Sequence, residues 1–246
     1  VADAAAVTAL GLHALQHRGQ EATGIVTHDG AHFHQHRGLG LVSYNFSDAR
    51  VMAKLPGRTA IGHNRYATHG ETVLKNAQPL VVEYQGGALA VAHNGNLVNA
   101  NELRERLEAT GSIFQSTSDT EVVIHLIAQA TGPTLVDRVI AALSEVRGAY
   151  SLVFLSKDEL IVARDPLGFR PLVLGRVKDA WVAVSETCAL DLINATYVRE
   201  VEPGEVIVIG KDGMKSFHPF PPVPARRCVF EYVYFARPDS RVFGRT

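Results

Sequence analysis

Three short clusters carry residue types that can do chemistry. Gly62-His63-Asn64-Arg65-Tyr66-Ala67-Thr68-His69-Gly70 gathers hydrogen-bond donors around an arginine. Its guanidinium can bind a carboxylate bidentately, and glycine lets backbone approach a ligand closely. His93-Asn94-Gly95-Asn96 can aim a side-chain amide and a backbone N–H at one point. Two such donors stabilise the oxyanion of acyl transfer, and losing one typically costs ~10²–10³ in rate. Ser118-Asp119-Thr120-Glu121 can present a carboxylate to an ammonium group while Ser118 caps a helix. Each cluster also has a plain structural use: a solvated loop, an Asn-Gly tight turn and a helix cap. In combination, an anion site at Arg65, a cation site at Asp119 and oxyanion donors at Asn94 and Gly95 describe a pocket for an α-amino acid whose side-chain carbonyl is attacked.

The elements that position these clusters follow from periodicity and turn residues. A helix is expected over 2–16, then a hairpin with arms at 22–27 and 31–42 around His28-Asp29-Gly30, and a short helix over 47–55. Apolar strands at 58–68 and 87–93 run directly into the first two clusters. Asn99 and Glu102 have the spacing of a capping box, with a Glu102/Arg106 pair along the following helix, which ends at Gly111. Ser118 and Glu121 repeat the device before Val122, Val123, Leu126 and Ile127. Leu135, Val139 and Leu143 mark another helix, followed by strands at 149–155 and 160–164. From Leu172 onward short strands alternate with tight turns around one helix at 187–195. Paired strands and runs of helices predict antiparallel sheets covered by helices. His32, His34 and His36 alternate on one strand, a metal-compatible spacing, but no carboxylate or cysteine is expected to complete a site, and no metal is expected there.

Composition bounds the function class. The chain has 246 residues, 24 Lys and Arg against 25 Asp and Glu, and a formal charge of −1. Without excess positive charge, neither nucleic acid nor an anionic membrane surface is an expected partner. The two cysteines, Cys188 and Cys228, are too few for a disulfide scaffold, which fits a reduced, cytoplasmic setting. No apolar run approaches the ~20 residues that span a bilayer. Pro219, Pro221, Pro222 and Pro224 form the one linker-like stretch, so residues 1–219 are expected to be one domain and 220–246 the start of a connection.

Together with residues 15–22 (Leu-Gln-His-Arg-Gly-Gln-Glu-Ala) and 163–172 (Ala-Arg-Asp-Pro-Leu-Gly-Phe-Arg-Pro-Leu), the three clusters resemble, in order and over nearly the whole chain, class II glutamine amidotransferase domains. Residues 228–240 (Cys-Val-Phe-Glu-Tyr-Val-Tyr-Phe-Ala-Arg-Pro-Asp-Ser) resemble those members that act on phosphoribosylpyrophosphate. Glucosamine-6-phosphate synthase and asparagine synthetase share the pocket motifs but do not usually carry that segment. The resemblance implies an α+β fold, the four-layer αββα sandwich of N-terminal-nucleophile hydrolases. It implies that Arg65 holds the glutamine α-carboxylate with Thr68 and His69 beside it, that Asp119 holds the α-ammonium, and that Asn94 and Gly95 form the oxyanion hole. Arg18 and Gly19 would pack near the nucleophile, and Tyr66 matches a position whose movement is thought to link two sites.

Family members use an N-terminal cysteine that also supplies its own α-amine. Val1 has no nucleophilic atom, and neither Cys188 nor Cys228 offers an α-amine, so a first strand bearing the cysteine is expected ahead of Val1, without which this segment would be inactive. A phosphoribosyltransferase domain, with magnesium, is expected after Thr246. Ammonia released from glutamine through a thioester would there convert phosphoribosylpyrophosphate to 5-phosphoribosylamine, the opening step of purine synthesis. Homo-oligomers, tetramers by resemblance, are expected. Cys188 reads as a small core residue. Cys228 resembles a position that in some members ligates a [4Fe–4S] cluster; one cysteine cannot hold a cluster, and a buried thiol is expected. Two alternatives stay open: a noncatalytic glutamine-binding or interaction module, and another class II amidotransferase such as glucosamine-6-phosphate synthase.

Overall fold

The computed structural model describes residues 1–66 and 73–245. Helix α1 (Ala4–Ala14) starts at Asp3, whose carboxylate accepts the Ala6 N–H at 3.1 Å. Strands β1 (Ala22–His28) and β2 (Phe33–Leu39) form the expected hairpin, turned by Asp29, which accepts the N–H groups of Ala31 and His32 at 2.8 Å. Short helices α2 (Val42–Phe46) and α3 (Ala49–Met52) lead to β3 (Thr59–Arg65), β4 (Leu80–Tyr84) and β5 (Gly87–Leu97). Helices α4 (Ala100–Ala109), α5 (Thr120–Gln129) and α6 (Leu135–Glu145) follow in succession. The rest is β6 (Gly148–Leu155), β7 (Leu160–Arg164), β8 (Val173–Val177), β9 (Ala180–Val184), α7 (Thr187–Leu192), β10 (Thr196–Glu200), β11 (Val206–Gly210) and β12 (Gly213–Phe217). A single π-helical turn, Glu231–Phe235, comes near the end.

Among the described residues every strand pair is antiparallel: one six-stranded sheet in the order β12-β11-β7-β6-β5-β4, and two three-stranded sheets, β2-β1-β3 and β10-β8-β9. Alternation along β5 explains the layering. Leu89 and Val91 face α4, α5 and α6 in one core, while Ala90 and Ala92 face Val26 and Ile61 of the opposing sheet in another. Val162 and Ile207 meet Leu174 and Val201 in a further core, against the β10-β8-β9 sheet. Helix α1 and its neighbours cover the β2-β1-β3 sheet through Ala5, Leu12, Ile25 and Phe46. Burying a Leu or Ile side chain contributes ~1.5–3 kcal/mol, so these four cores hold the layers in one register. The result is the expected α+β αββα sandwich of the N-terminal-nucleophile hydrolase type.

Several local expectations are corrected. The hairpin arm expected over 31–42 ends at Leu39, Val42 instead begins helix α2, and the 47–55 helix shrinks to α3. The 187–195 helix ends at Leu192. Asn99 makes no side-chain cap; its amide instead donates to Glu145 O (3.0 Å) and accepts from Arg147 N (2.8 Å), tying α4 to the end of α6. Glu102 pairs with Arg147 at 2.9 Å and Arg106 with Glu145, not with each other. Glu121 does not reach back to Ser118: its carboxylate accepts the N–H groups of Gln115 and Ser116 and the Ser116 hydroxyl. The capping box that does form is Thr134 with Asp137, at α6. Asp29 lies 2.7 Å from His34, so a carboxylate does reach the histidine strand. Chain beyond the prolines docks back on the body: Arg226 N–H donates to Leu167 O, Cys228 N–H to Phe169 O, and Glu231 is fully buried.

Candidate active site

The first two clusters meet where β3 and β5 end, and the third begins α5 beside them. They line a pocket of about 110 Å³ with Arg65, Asn94, Gly95 and Asp119 in its wall and Arg18 and Tyr66 at its margin. Arg65 is buried and donates from Nη1 to Asn76 O at 3.3 Å. Gly19 packs on the Arg65 peptide: a Cβ there would lie 2.5 Å from the Arg65 carbonyl. Asp119 is buried, with Oδ2 accepting the Leu97 N–H at 2.9 Å. The Nδ2 of Asn94 is buried with no hydrogen-bond partner among the described residues. Such an orphan is costly in a protein interior; Tyr150 Oη, Arg170 Nε and Glu200 Oε1 are others among the described residues, but the Asn94 amide lines the pocket, where a ligand could satisfy it. Gly95 is demanded by the sheet, because a Cβ would sit 2.0 Å from Ala149 O on β6. Thr68 and His69 lie outside the described residues.

Polar contacts brace this wall. Gln78 Oε1 accepts the His93 N–H at 2.7 Å, and its Nε2 donates to Thr120 Oγ1 at 3.1 Å. The His93 ring lies between Thr120 Oγ1 (3.1 Å from Nδ1) and Ala149 O (3.3 Å from Nε2). His63 donates from Nε2 to His93 O at 3.0 Å, leaving Nδ1 buried and without a partner among the described residues. Burial, with the nearby positive groups, lowers the His63 pKa to about 4, so this imidazole is neutral at physiological pH.

A second group of buried charges adjoins the pocket. Arg18 forks onto Glu231 at 2.8 and 2.9 Å and also bonds Glu186, while Arg170 reaches Glu231 at 2.8 Å. His17 adds a 2.9 Å contact to Glu186. Burial alone would raise the Glu186 carboxyl, but the bonds from His17 and Arg18 outweigh it and hold its pKa at about 2. Phe235 lies across both guanidinium groups, 5.9 Å from Arg18 and 4.6 Å from Arg170, and meets Tyr66 edge-on. Tyr66 is 48% exposed.

Behind the pocket runs a trough of about 660 Å³ between β3 and β9, which are edge strands among the described residues. Val7, Thr8 and Gly11 of α1 bound it on one side and Ala92, Ser151 and Val153 on the other; Gly62, His63, His93 and Asn94 line both spaces. The two thiols sit apart from the orphan amide. Cys188 is a buried core residue as expected, near Ala14 O and Glu186, and Cys228 is buried against Arg170. Among the described residues, the one His/Cys/Asp/Glu group tight enough for a metal is His17, Glu186 and Cys188, where Arg18 already occupies the carboxylate. A cubane cluster needs four ligands, mostly thiolates, which these two cysteines do not form.

The structure therefore brings Arg18, Gly19, Arg65, Tyr66, Asn94, Gly95 and Asp119 together. Sequence reasoning missed Gln78, Glu186 and Glu231. Gln78 sits in an unremarkable loop, and the two glutamates bond to partners 168 and 213 residues away, so no local spacing announces them.

Residues 63–191 match the glutamine amidotransferase domain family. The chain is 53% identical to an amidophosphoribosyltransferase of Rhizobium etli over 99% of this chain and 50% of that protein, and 49% identical to one of Bacillus subtilis over 98% and 51%. It thus spans about half the length of the curated relatives it matches. A solved structure of glutamine phosphoribosylpyrophosphate amidotransferase from Bacillus subtilis, complexed with ADP and GMP, superposes with a TM-score of 0.92 at 49% identity, covering 97% of this chain and 52% of that one. The family match over more than half the chain accounts for the fold, the order of the motifs and the pocket they line, and the chain belongs to the glutamine amidotransferase domain family.

Proposed function

We propose that the pocket binds free glutamine and that the protein releases ammonia from its side-chain amide. The buried Nδ2 of Asn94, next to Gly95 and with no partner among the described residues, carries this reading: it is placed to serve as an oxyanion donor. The Arg65 guanidinium takes the α-carboxylate and the Asp119 carboxylate the α-ammonium, so charge at both ends orients the amide toward Asn94. An extended segment ahead of Val1 would fill the trough, pair with β3 and β9, and bring a cysteine to the shared lining at Asn94. Its thiolate adds to the amide carbon; the carbonyl oxygen becomes the oxyanion held by Asn94 and Gly95. The C–N bond then breaks, the nitrogen leaves as ammonia with the proton released by the thiol, and water hydrolyses the thioester to glutamate and free thiol.

In the full-length protein the ammonia passes to a phosphoribosyltransferase domain after Thr246. There it displaces pyrophosphate from phosphoribosylpyrophosphate, giving 5-phosphoribosylamine; magnesium in that domain would neutralise the leaving pyrophosphate. Residues 220–246 are read as the connection between the domains, and the protein as a cytoplasmic homo-oligomer, a tetramer by resemblance. Among the described residues no helix is long and apolar enough to cross a membrane. A [4Fe–4S] cluster would have to draw its other ligands from outside this chain, with Cys228 contributing one.

The test is Arg65→Ala and Asp119→Ala in the full-length protein. Each removes charge-assisted bonds, so glutamine-dependent synthesis is expected to fall about 100-fold while ammonia-dependent synthesis is spared. Equal loss of both activities contradicts the assigned roles. N-terminal sequencing of the mature protein decides the nucleophile: a terminus without cysteine leaves a noncatalytic glutamine-binding module.

A further inference from the structure

We infer that Gln78 is a positioning residue, locking the oxyanion strand to the helix that carries the ammonium-binding carboxylate; this rests on the glutamine reading above. Gln78 is buried, and both of its partners adjoin the pocket groups. His93, whose N–H it accepts at 2.7 Å, immediately precedes Asn94 and Gly95; Thr120, to which it donates at 3.1 Å, immediately follows Asp119.

Sheet register explains why a side chain is needed there. The β4–β5 ladder ends at the pair Leu80–Val91, because β4 starts at Leu80 while β5 continues to Leu97. The next ladder position on β5 with that orientation is His93, whose opposite number on the preceding chain is residue 78. Its N–H would be a buried donor without a strand to pair with, and the Gln78 amide oxygen replaces the missing carbonyl. The chain thus leaves the sheet at Gln78, opening room for the pocket, without losing control of β5.

Proton counting fixes the amide's orientation. The His93 backbone N–H can only donate, so the Gln78 atom facing it is Oε1, and Nε2 faces Thr120 Oγ1, which accepts. Thr120 Oγ1 also lies 3.1 Å from His93 Nδ1 and 3.4 Å from Asp119 Oδ1, so Gln78, His93 and Thr120 form a ring that opens onto the Asp119 carboxylate. Reversing the amide would set an NH₂ against an N–H. Neighbouring Asn76 works in parallel: its amide exchanges two bonds with Thr117, at 2.8 and 3.0 Å, and its carbonyl receives Arg65. Asn76 and Gln78 thereby space the anion site, the oxyanion donors and the Asp119 turn.

The test uses the full-length protein and four variants, Gln78→Leu, Gln78→Glu, Thr120→Val and Thr120→Ser, with the double variant Q78L/T120V. Leaving buried partners unsatisfied and the donors misaligned should lower kcat/KM for glutamine about 10- to 100-fold in Q78L, and the ratio of glutamine- to ammonia-dependent synthesis by the same factor. Thr120→Val should match it, Thr120→Ser, which keeps the hydroxyl, should stay within about threefold of the parent, and the double variant should be no worse than about threefold below the worse single one, since both cut one ring. Q78L kinetics within about twofold of the parent, losses that multiply in the double variant, or both activities falling together would overturn the assignment. Should Q78L not fold, the decision passes to Q78E, which keeps the acceptor for His93 but not the donor: parent-like kinetics in Q78E overturns it as well. Arg65→Ala separates the layers of the argument. If R65A keeps glutamine turnover, the glutamine reading itself is lost and the role of Gln78 with it; if R65A is inactive and Q78L is not, only the role of Gln78 is lost.

Discussion

Two sets of buried polar groups lie side by side in this domain, and they are built on opposite plans. In the Arg18–Glu186–Glu231–Arg170 cluster each charge finds its complement inside the protein, carboxylates forked by guanidinium groups and faced by Phe235. In the pocket, Asn94 keeps a buried donor and His63 a buried acceptor that no described residue answers, whereas in the first set Arg170 Nε alone is left so while its charge is paired. Breaking one member of a closed ion cluster strands a charge, whereas removing a donor that has no protein partner strands nothing. The first set therefore holds the molecule together, clamping the Glu231–Phe235 turn to the pocket rim, and the second lines the pocket, where the proposed ligand would answer it.

That contrast breaks most visibly at Glu231. Glu231→Ala leaves Arg18 and Arg170 without their shared carboxylate and should cost ~3–5 kcal/mol, read as a shift in the urea unfolding midpoint; a loss under ~1 kcal/mol would mean that the cluster is not what secures the turn. Asn94→Ala should do the reverse, lowering glutaminase turnover ~10²–10³-fold while the unfolding midpoint stays where it was. A large stability loss in that variant would show the amide to be structural after all. The smallest effect is in the acid limb. Glu186 is held at about 2 against an ordinary 4.5, so the folded state binds fewer protons than the unfolded chain between those values. Its contribution is present above pH 4.5 and lost as pH falls toward 2. Glu121 shares this window, held at about 2 by Ser116, Gln115 and His125 despite burial. Unfolding measured against pH should be flatter between pH 4.5 and 2 in Glu186→Gln, with Glu121 supplying the remaining slope; an unchanged slope would show that the cluster does not depend on that ionisation.

Much of the site was legible before the fold because its residues come in tight runs at the ends of apolar strands. Arg65, Asn94, Gly95 and Asp119 each belong to a cluster with a plain structural use of its own, and only the combination of the three described a pocket. What misled the reading was also local. Asn99 and Glu121 have capping spacing, yet tertiary partners take both side chains: Glu145 and Arg147 for Asn99, the 115–116 backbone for Glu121. Asp29 both turns the hairpin and reaches His34, a double use that spacing does not announce. Glu186, Glu231 and Gln78 were invisible because their roles exist only through partners brought from elsewhere in the chain.

The sequence by itself determined an apolar strand from Gly87 that runs into a polar cluster, though not that β5 continues through that cluster to Leu97, and the motif order that places the chain among glutamine amidotransferase domains. Tertiary structure alone decided which donors converge, which charges close on one another, and that Gln78 stands where a strand would have been. The reason is reach: a hydrogen bond spans about 3 Å, periodicity sets only which side of an element a residue faces, and the packing of two sheets decides what stands opposite it.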